Sequence, residues 1–230
     1  MSDLPDQGRR AFLRHSLTLI PVVSLGTSVP LLAASDSAPD YKPTFFSPPE
    51  WSFLQAAVAR LIPADQLGPG ALEAGVPEYI DRQMQTPYAA GKQWYMQGPF
   101  DDQAPASMGY QLRLNLQQLV RQGIGQSDAL AQSRHGRAFA SLKTQEQEAL
   151  LREIESGKVD FEGVPASAFF SALLQLTREG FFCDPVHGGN RGMVGWKLVG
   201  FPGARADFMD WIERGERYAY PPVSLDGRRG

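Results

Sequence analysis

Only one cysteine, Cys183, occurs in 230 residues, so the chain cannot staple itself with a disulfide. The same scarcity excludes an iron–sulfur cluster, which needs several thiolates, and no Cys-x-x-Cys-His is present for haem attachment. No Gly-x-Gly-x-x-Gly follows a candidate strand, and no glycine-rich loop ends in Gly-Lys-Ser/Thr. The chain is therefore expected to bind no cofactor of its own. Histidine is also sparse: His15, His135 and His187 lie far apart, which leaves no His-based metal motif. Charge is nearly balanced, with 22 Lys plus Arg against 25 Asp plus Glu, and no segment beyond the first residues concentrates cations. Nucleic acid, which demands a basic stripe, is not an expected partner.

What is present begins at the N-terminus. Gly8-Arg9-Arg10-Ala11-Phe12-Leu13-Arg14 precedes an uncharged, weakly apolar run from Ser16 to Ala34. Adjacent arginines, a Phe12-Leu13 landing point and a modest apolar stretch form the layout of a twin-arginine export signal, an address read by a receptor. A membrane-spanning anchor fits less well, because Pro21, Gly26 and Pro30 interrupt a run that would need roughly 20 predominantly apolar residues. Small residues near Ala33-Ala34 offer no clean Ala-x-Ala, so cleavage and an uncleaved tether both stay open. The pathway moves folded cargo, which suits a protein that meets a cofactor-bearing partner before crossing. We assign residues 1–34 to the signal, 35–44 to a polar linker and 45–230 to one folded domain.

Hydrophobic residues at 43% against 20% charged mark that domain as globular. Ser47-Pro48-Pro49-Glu50 reads as a helix start, followed by Trp51, Leu54, Val58 and Leu61 at helical spacing until Pro63. Shorter helices are expected over 77–85, with Tyr79, Ile80 and Met84 as the apolar face, and over 107–122, ended by Gly123 and Gly125. Between these two lies an irregular segment with Tyr88, Trp94, Tyr95 and Phe100. A helix over 128–134 follows, then one opened by a Thr144-x-x-Gln147 capping box and stopped at Gly157. Residues 166–182 are apolar nearly all round and predict the central helix. A last helix is expected over 204–214, with Phe208, Trp211 and Ile212, before an extended tail containing Pro221-Pro222. No strand-like alternation is sustained. The fold class is all-α: one irregular helical bundle with a long glycine-rich loop.

That loop is the densest feature of the chain. Six glycines fall from Gly188 to Gly203, interleaved with Trp196 and Phe201 and accompanied by Arg191 and Lys197. One reading is a turn that folds back on its own domain. The other is a rigid aromatic-studded surface for another chain, with Cys183, Asp184, His187, Gly188, Gly189, Asn190, Arg191, Gly195, Trp196, Lys197 and Phe201 as its interface. Two sharper chemistries compete at its start. Cys183, Asp184 and His187 would make a thin metal site, and Cys183 with His187 a nucleophile pair oriented by Asn190, although no nucleophile turn is recognisable. In an exported protein, a lone Cys183 is either an inert buried thiol or half of an inter-chain disulfide.

The run Gly180-Phe181-Phe182-Cys183-Asp184-Pro185-x-His187-Gly188-Gly189-Asn190-Arg191-x-Met193-x-Gly195-Trp196-Lys197-Leu198-x-Gly200-Phe201-Pro202-Gly203, with the twin arginines and Phe45-Phe46-x-x-x-Glu50, resembles the gluconate 2-dehydrogenase subunit 3 family. The resemblance extends from the signal to about Gly203. It implies a small, non-catalytic subunit in a periplasmic complex associated with the cytoplasmic membrane. The implied partners are a large FAD flavoprotein of the glucose-methanol-choline type, which also carries an iron–sulfur cluster, a multihaem cytochrome c bearing haem c, and the twin-arginine translocase. It further implies that the small subunit carries the folded flavoprotein through the export channel and aids its maturation. The residues by themselves also allow a stand-alone periplasmic enzyme built on Cys183 and His187, or a free-standing binding protein.

Overall fold

The computed structural model describes residues 41–101 and 104–230. The export-signal residues Arg9, Arg10, Phe12 and Leu13 lie outside the described residues, as does most of the linker. Helix α1 (Pro48–Leu61) starts as its sequence dictates: Pro48 needs no amide partner in the first turn, and the Ser47 amide and hydroxyl both donate to Glu50 Oε2, at 2.8 and 2.7 Å. Its buried face is Phe53, Leu54, Ala57 and Val58, with Trp51 and Leu61 at the margin. The apolar stripe is thus rotated from the expected one.

Helix α2 (Val76–Gln83) buries Val76 and Ile80, and Met84 just past its end is fully buried as well. Helix α3 (Leu116–His135) corrects two expectations at once. It begins only at Leu116, where Asn115 Oδ1 accepts from Gln118 N at 2.9 Å, and then runs unbroken through Gly123 and Gly125 to merge with the helix expected over 128–134. The reason is packing. A Cβ on Gly123 would stand 2.0 Å from Cδ2 of Phe169, so glycine here lets two helices touch. The local cost of a helical glycine, roughly 1 kcal/mol, is small beside a close-packed crossing.

Helix α4 (Thr144–Glu155) is capped one residue earlier than expected, with Glu146 Oε2 accepting from Lys143 N at 2.8 Å. Gln147 turns inward instead and donates to Phe139 O at 3.0 Å. Helix α5 (Ala166–Phe182) is the central element, packed against α1, α2, α3 and α4. Phe169 and Leu173 are fully buried, and Thr177 joins the core by donating its hydroxyl to Leu173 O at 2.7 Å. Phe53 of α1 meets Phe139 at 4.6 Å and Phe169 at 6.3 Å between ring centroids, tying three segments into one core.

A short helix, α6 (Val194–Val199), forms inside the glycine-rich stretch that the sequence reading left as loop. The expected helix over 204–214 is a 3-10 segment, Ala206–Trp211, with no buried residue. Its rings pack on one another and not on the core: Phe208 and Trp211 each meet Tyr218 edge-on at 5.4 Å. The tail then returns. Val223 pairs with Gly203 and with Arg229 in isolated bridges, and among the described residues there is no strand. The fold is all-α.

One polar cluster, invisible in the sequence pattern, ties the domain's entry to α2. Asp81 is fully buried, and its carboxylate accepts from Tyr41 Oη, Thr44 N, Thr44 Oγ1, Phe45 N and Phe46 N at 2.8 to 3.1 Å. Burial pushes its pKa up. The amides and the Tyr41 hydroxyl outweigh that and hold it below the ordinary carboxylate range.

Candidate functional site

The glycine-rich segment joins the C-terminal end of α5 to α6, and its polar groups are spent chiefly on its own conformation. Asn190 sits at its centre with no exposure, in the left-handed region at φ 46° and ψ 41°. Its Nδ2 donates to Cys183 O at 2.8 Å, its Oδ1 accepts from Gly195 N at 2.9 Å, and its own amide donates to Gly180 O at 2.9 Å. One side chain therefore closes the end of α5 against the start of α6. Asparagine suits the post because it tolerates positive φ and carries both a donor and an acceptor.

Trp196 is also an inward residue, 5% exposed, with Nε1 donating to Phe182 O at 2.7 Å. Gly189 and Gly195 are buried for steric reasons. A Cβ on the first would lie 2.1 Å from Gly180 O, and on the second 2.2 Å from Phe181 O. Gly188 lies beneath the Arg82 side chain. Arg191 reaches the opposite way: its amide donates to Ala74 O at 3.0 Å, and its guanidinium pairs with the nearly buried Glu78 of α2. Asp184 ties down the C-terminal tail, accepting from Ser224 Oγ at 2.6 Å, Leu225 N at 2.8 Å and Val186 N at 3.0 Å. Desolvation raises its pKa, and these three donors together hold it low.

Of the residues expected to face a partner, Asn190, Gly189, Gly195 and Trp196 are placed inside this chain. Arg191 and Asp184 are engaged with α2 and the tail. Lys197, Phe201 and His187 are exposed. Phe201 stands edge-on to Trp196 at 5.1 Å while remaining 48% exposed. Beside it Leu198 and Val199 point outward at 49% and 60% exposure. The sequence reading did not single these two out. Helical spacing accounts for Leu198, about 200° round α6 from the buried Trp196, but not for Val199, which at i+3 returns toward Trp196's side and is exposed at the helix's last residue.

Cys183 is half-buried, its Sγ 3.5 Å from Gly180 O. Burial, with the Asp184 and Glu179 charges adding to it, pushes the thiol up to about 11. At neutral pH it is protonated, the opposite of the lowered pKa that activates a nucleophile or metal ligand. The Asn190 side chain bonds Cys183 O and Gly195 N and makes no hydrogen bond to His187. Among the described residues no group of three or more His, Cys, Asp and Glu side chains is gathered as a metal site would require.

This is an all-α protein in which the buried Asn190 and Trp196 anchor a short helix, α6, that leaves Lys197, Leu198 and Val199 exposed. The family model of gluconate 2-dehydrogenase subunit 3 matches residues 48–203, and the chain belongs to that family. The matched stretch includes α1 through α6 and stops where the Ala206–Trp211 segment and the tail begin. Membership makes the chain a subunit of a multi-subunit dehydrogenase. No curated protein and no solved structure matches it.

Proposed function

We propose that this chain is the accessory small subunit of a gluconate 2-dehydrogenase-like complex in the periplasm, bound to the cytoplasmic membrane through its partners. It binds the folded FAD flavoprotein in the cytoplasm, takes it through the twin-arginine translocase on the strength of Arg9 and Arg10, and stabilises it afterwards. In this reading the flavoprotein holds FAD and an iron–sulfur cluster, and a multihaem cytochrome c takes the electrons. The observation that carries the proposal is the family match over residues 48–203. The twin-arginine layout supports it, since a chain with no cofactor signature has no need of a folded-protein route for itself. Lys197, Leu198, Val199 and Phe201 are among the exposed side chains of the loop and would be available to a partner.

The test is fractionation of a host expressing this chain with its flavoprotein. Replacing Arg9 and Arg10 by lysine is expected to strand both chains and the dye-linked dehydrogenase activity in the cytoplasm. Unchanged periplasmic activity would refute the carrier role. The same complex on a non-reducing gel decides the fate of Cys183. A single band at the summed mass, lost in Cys183→Ser, establishes an inter-chain disulfide, and separate bands leave Cys183 as a packed thiol.

A further inference from the structure

An open cleft of about 420 Å³ separates α6 and the turn after it from the returning tail, with residues from Trp196 to Pro202 as one wall and Arg217 to Pro222 as the other. The first wall falls within the matched stretch of residues 48–203, and the second lies beyond it. The walls are stitched at their base, where Val223 N donates to Pro202 O at 3.1 Å and Ala204 N to Val223 O at 2.7 Å. Arg205 braces the second wall from outside the cleft: its Nε donates to Pro221 O at 2.9 Å, and its guanidinium lies 5.7 and 5.5 Å from the ring centroids of Tyr218 and Tyr220. The cleft therefore exists before anything enters it. Phe201 and Tyr220 remain 48% and 54% exposed, so their rings are open to an occupant. The charged side chains of the lining are Lys197 and Arg217, both exposed, and no Asp or Glu lines it. Neither cation has a hydrogen bond or ion pair through its side chain to another described residue. Asp207 is held by Arg205 at 3.4 Å, and Glu213 and Glu216 precede Arg217 without lining the cleft. In a chain of formal net charge -3, two unpaired cations on aromatic walls are a local feature.

We propose that this cleft receives an extended acidic segment of the flavoprotein partner, with an Asp or Glu carboxylate reaching Lys197 and Arg217 and an adjoining apolar side chain between Phe201 and Tyr220. The inference rests on the accessory-subunit reading and deepens it by naming what the partner presents. Charge complementarity selects the acid, because a carboxylate at these two cations is the contact the chain itself leaves unmade. The rings and prolines select the backbone form, since a groove of this make-up suits an extended segment.

The test follows association of the flavoprotein with the immobilised full chain by surface plasmon resonance at about 50 mM and about 300 mM salt. Lys197→Gln combined with Arg217→Gln is expected to slow association about tenfold at the lower salt and to flatten the salt dependence. Both cations are exposed and unpaired, so the variant should melt within about 2 °C of the parent. Lys158→Gln combined with Arg178→Gln removes the same charge from exposed positions outside the cleft and should leave association within about twofold of the parent. In the parent complex, carbodiimide coupling is expected to join Lys197 Nζ to an Asp or Glu of the flavoprotein as an amide, mapped by mass spectrometry. Unchanged association in the Lys197 and Arg217 variant, an equal loss in the Lys158 and Arg178 variant, or no amide at Lys197 overturns the proposal and leaves the accessory-subunit reading standing. Absence of any complex with the flavoprotein overturns both.

Discussion

Asn190→Ala should be among the most damaging single substitutions in the molecule, and its cost can be worked from the contacts. The change deletes the bond from Nδ2 to Cys183 O and the bond from Gly195 N to Oδ1, both between buried or half-buried groups. Two such bonds contribute about 2 kcal/mol net, and the buried Gly195 amide left without an acceptor adds about 1–3 kcal/mol. Alanine at φ 46° adds about 1 kcal/mol of backbone strain that asparagine largely escapes. The expected loss is about 4–6 kcal/mol, a large share of the 5–15 kcal/mol typical of a domain. Urea unfolding followed by far-UV circular dichroism measures it. Asn190→Gly removes the same bonds but relieves the strain, so it should fall about 1 kcal/mol short of the alanine variant. A loss under about 1 kcal/mol for alanine, or a glycine variant worse than alanine, would refute the staple. Normal stability with lost flavoprotein binding would return Asn190 to the interface.

Two glycines two residues apart in α3, on opposite faces, should respond in opposite directions: Gly123→Ala forces a Cβ against Phe169 and should cost about 1–3 kcal/mol, while Gly125→Ala enters open space and should gain up to about 1 kcal/mol, both read from thermal melts. Asp81 sets part of the acid limit. Its pKa is depressed in the folded state, so its stabilisation is present above the unfolded value of about 3.9 and is lost as pH falls through the folded one. Melting temperature measured from pH 6 to pH 3 should therefore drop more gently in Asp81→Asn, the remaining slope belonging to Asp184, Asp226 and Glu146, whose carboxyl groups are also held low. An unaltered slope would mean that the clamp on residues 41–46 does not depend on the charge.

The helices were legible wherever local signals and packing agreed. Ser47-Pro48-Pro49-Glu50 announces α1, and the all-round apolarity of residues 166–182 announces the central α5, because capping and burial there point to one answer. Gly123 and Gly125 misled because their meaning is tertiary: a helix breaker by propensity becomes a contact point when Phe169 lies across it. Phe208, Trp211 and Ile212 misled in the other direction. Their spacing is helical, yet Tyr218 and Tyr220 gather the rings into a half-buried surface cluster that needs no α-helix. Asp81 was unreadable, since the amides it accepts from lie 35 to 37 residues away along the chain. At the loop, composition drew attention to the segment but carried no direction for its side chains. Aromatics among glycines read the same whether a ring faces a partner or, like Trp196, its own α5 carbonyl.

That inward direction changes what the loop can do as a docking element. Binding through flexible side chains on a mobile loop loses affinity to the ordering of both, at about 0.5–1.5 kcal/mol for each side chain immobilised. Here Asn190 and Trp196 have already fixed α6 from beneath, and Arg191 and Asp184 tie its flanks to α2 and the tail. The exposed Leu198, Val199 and Phe201 are presented on a backbone with few alternatives left to it. If this surface docks a partner as proposed, internal stapling and docking would be two faces of one construction, with the glycines allowing the close approach inside that limits the alternatives open to the surface outside. A partner meeting this surface would owe its affinity to the exposed apolar side chains, and the buried polar ones would act by holding them in place.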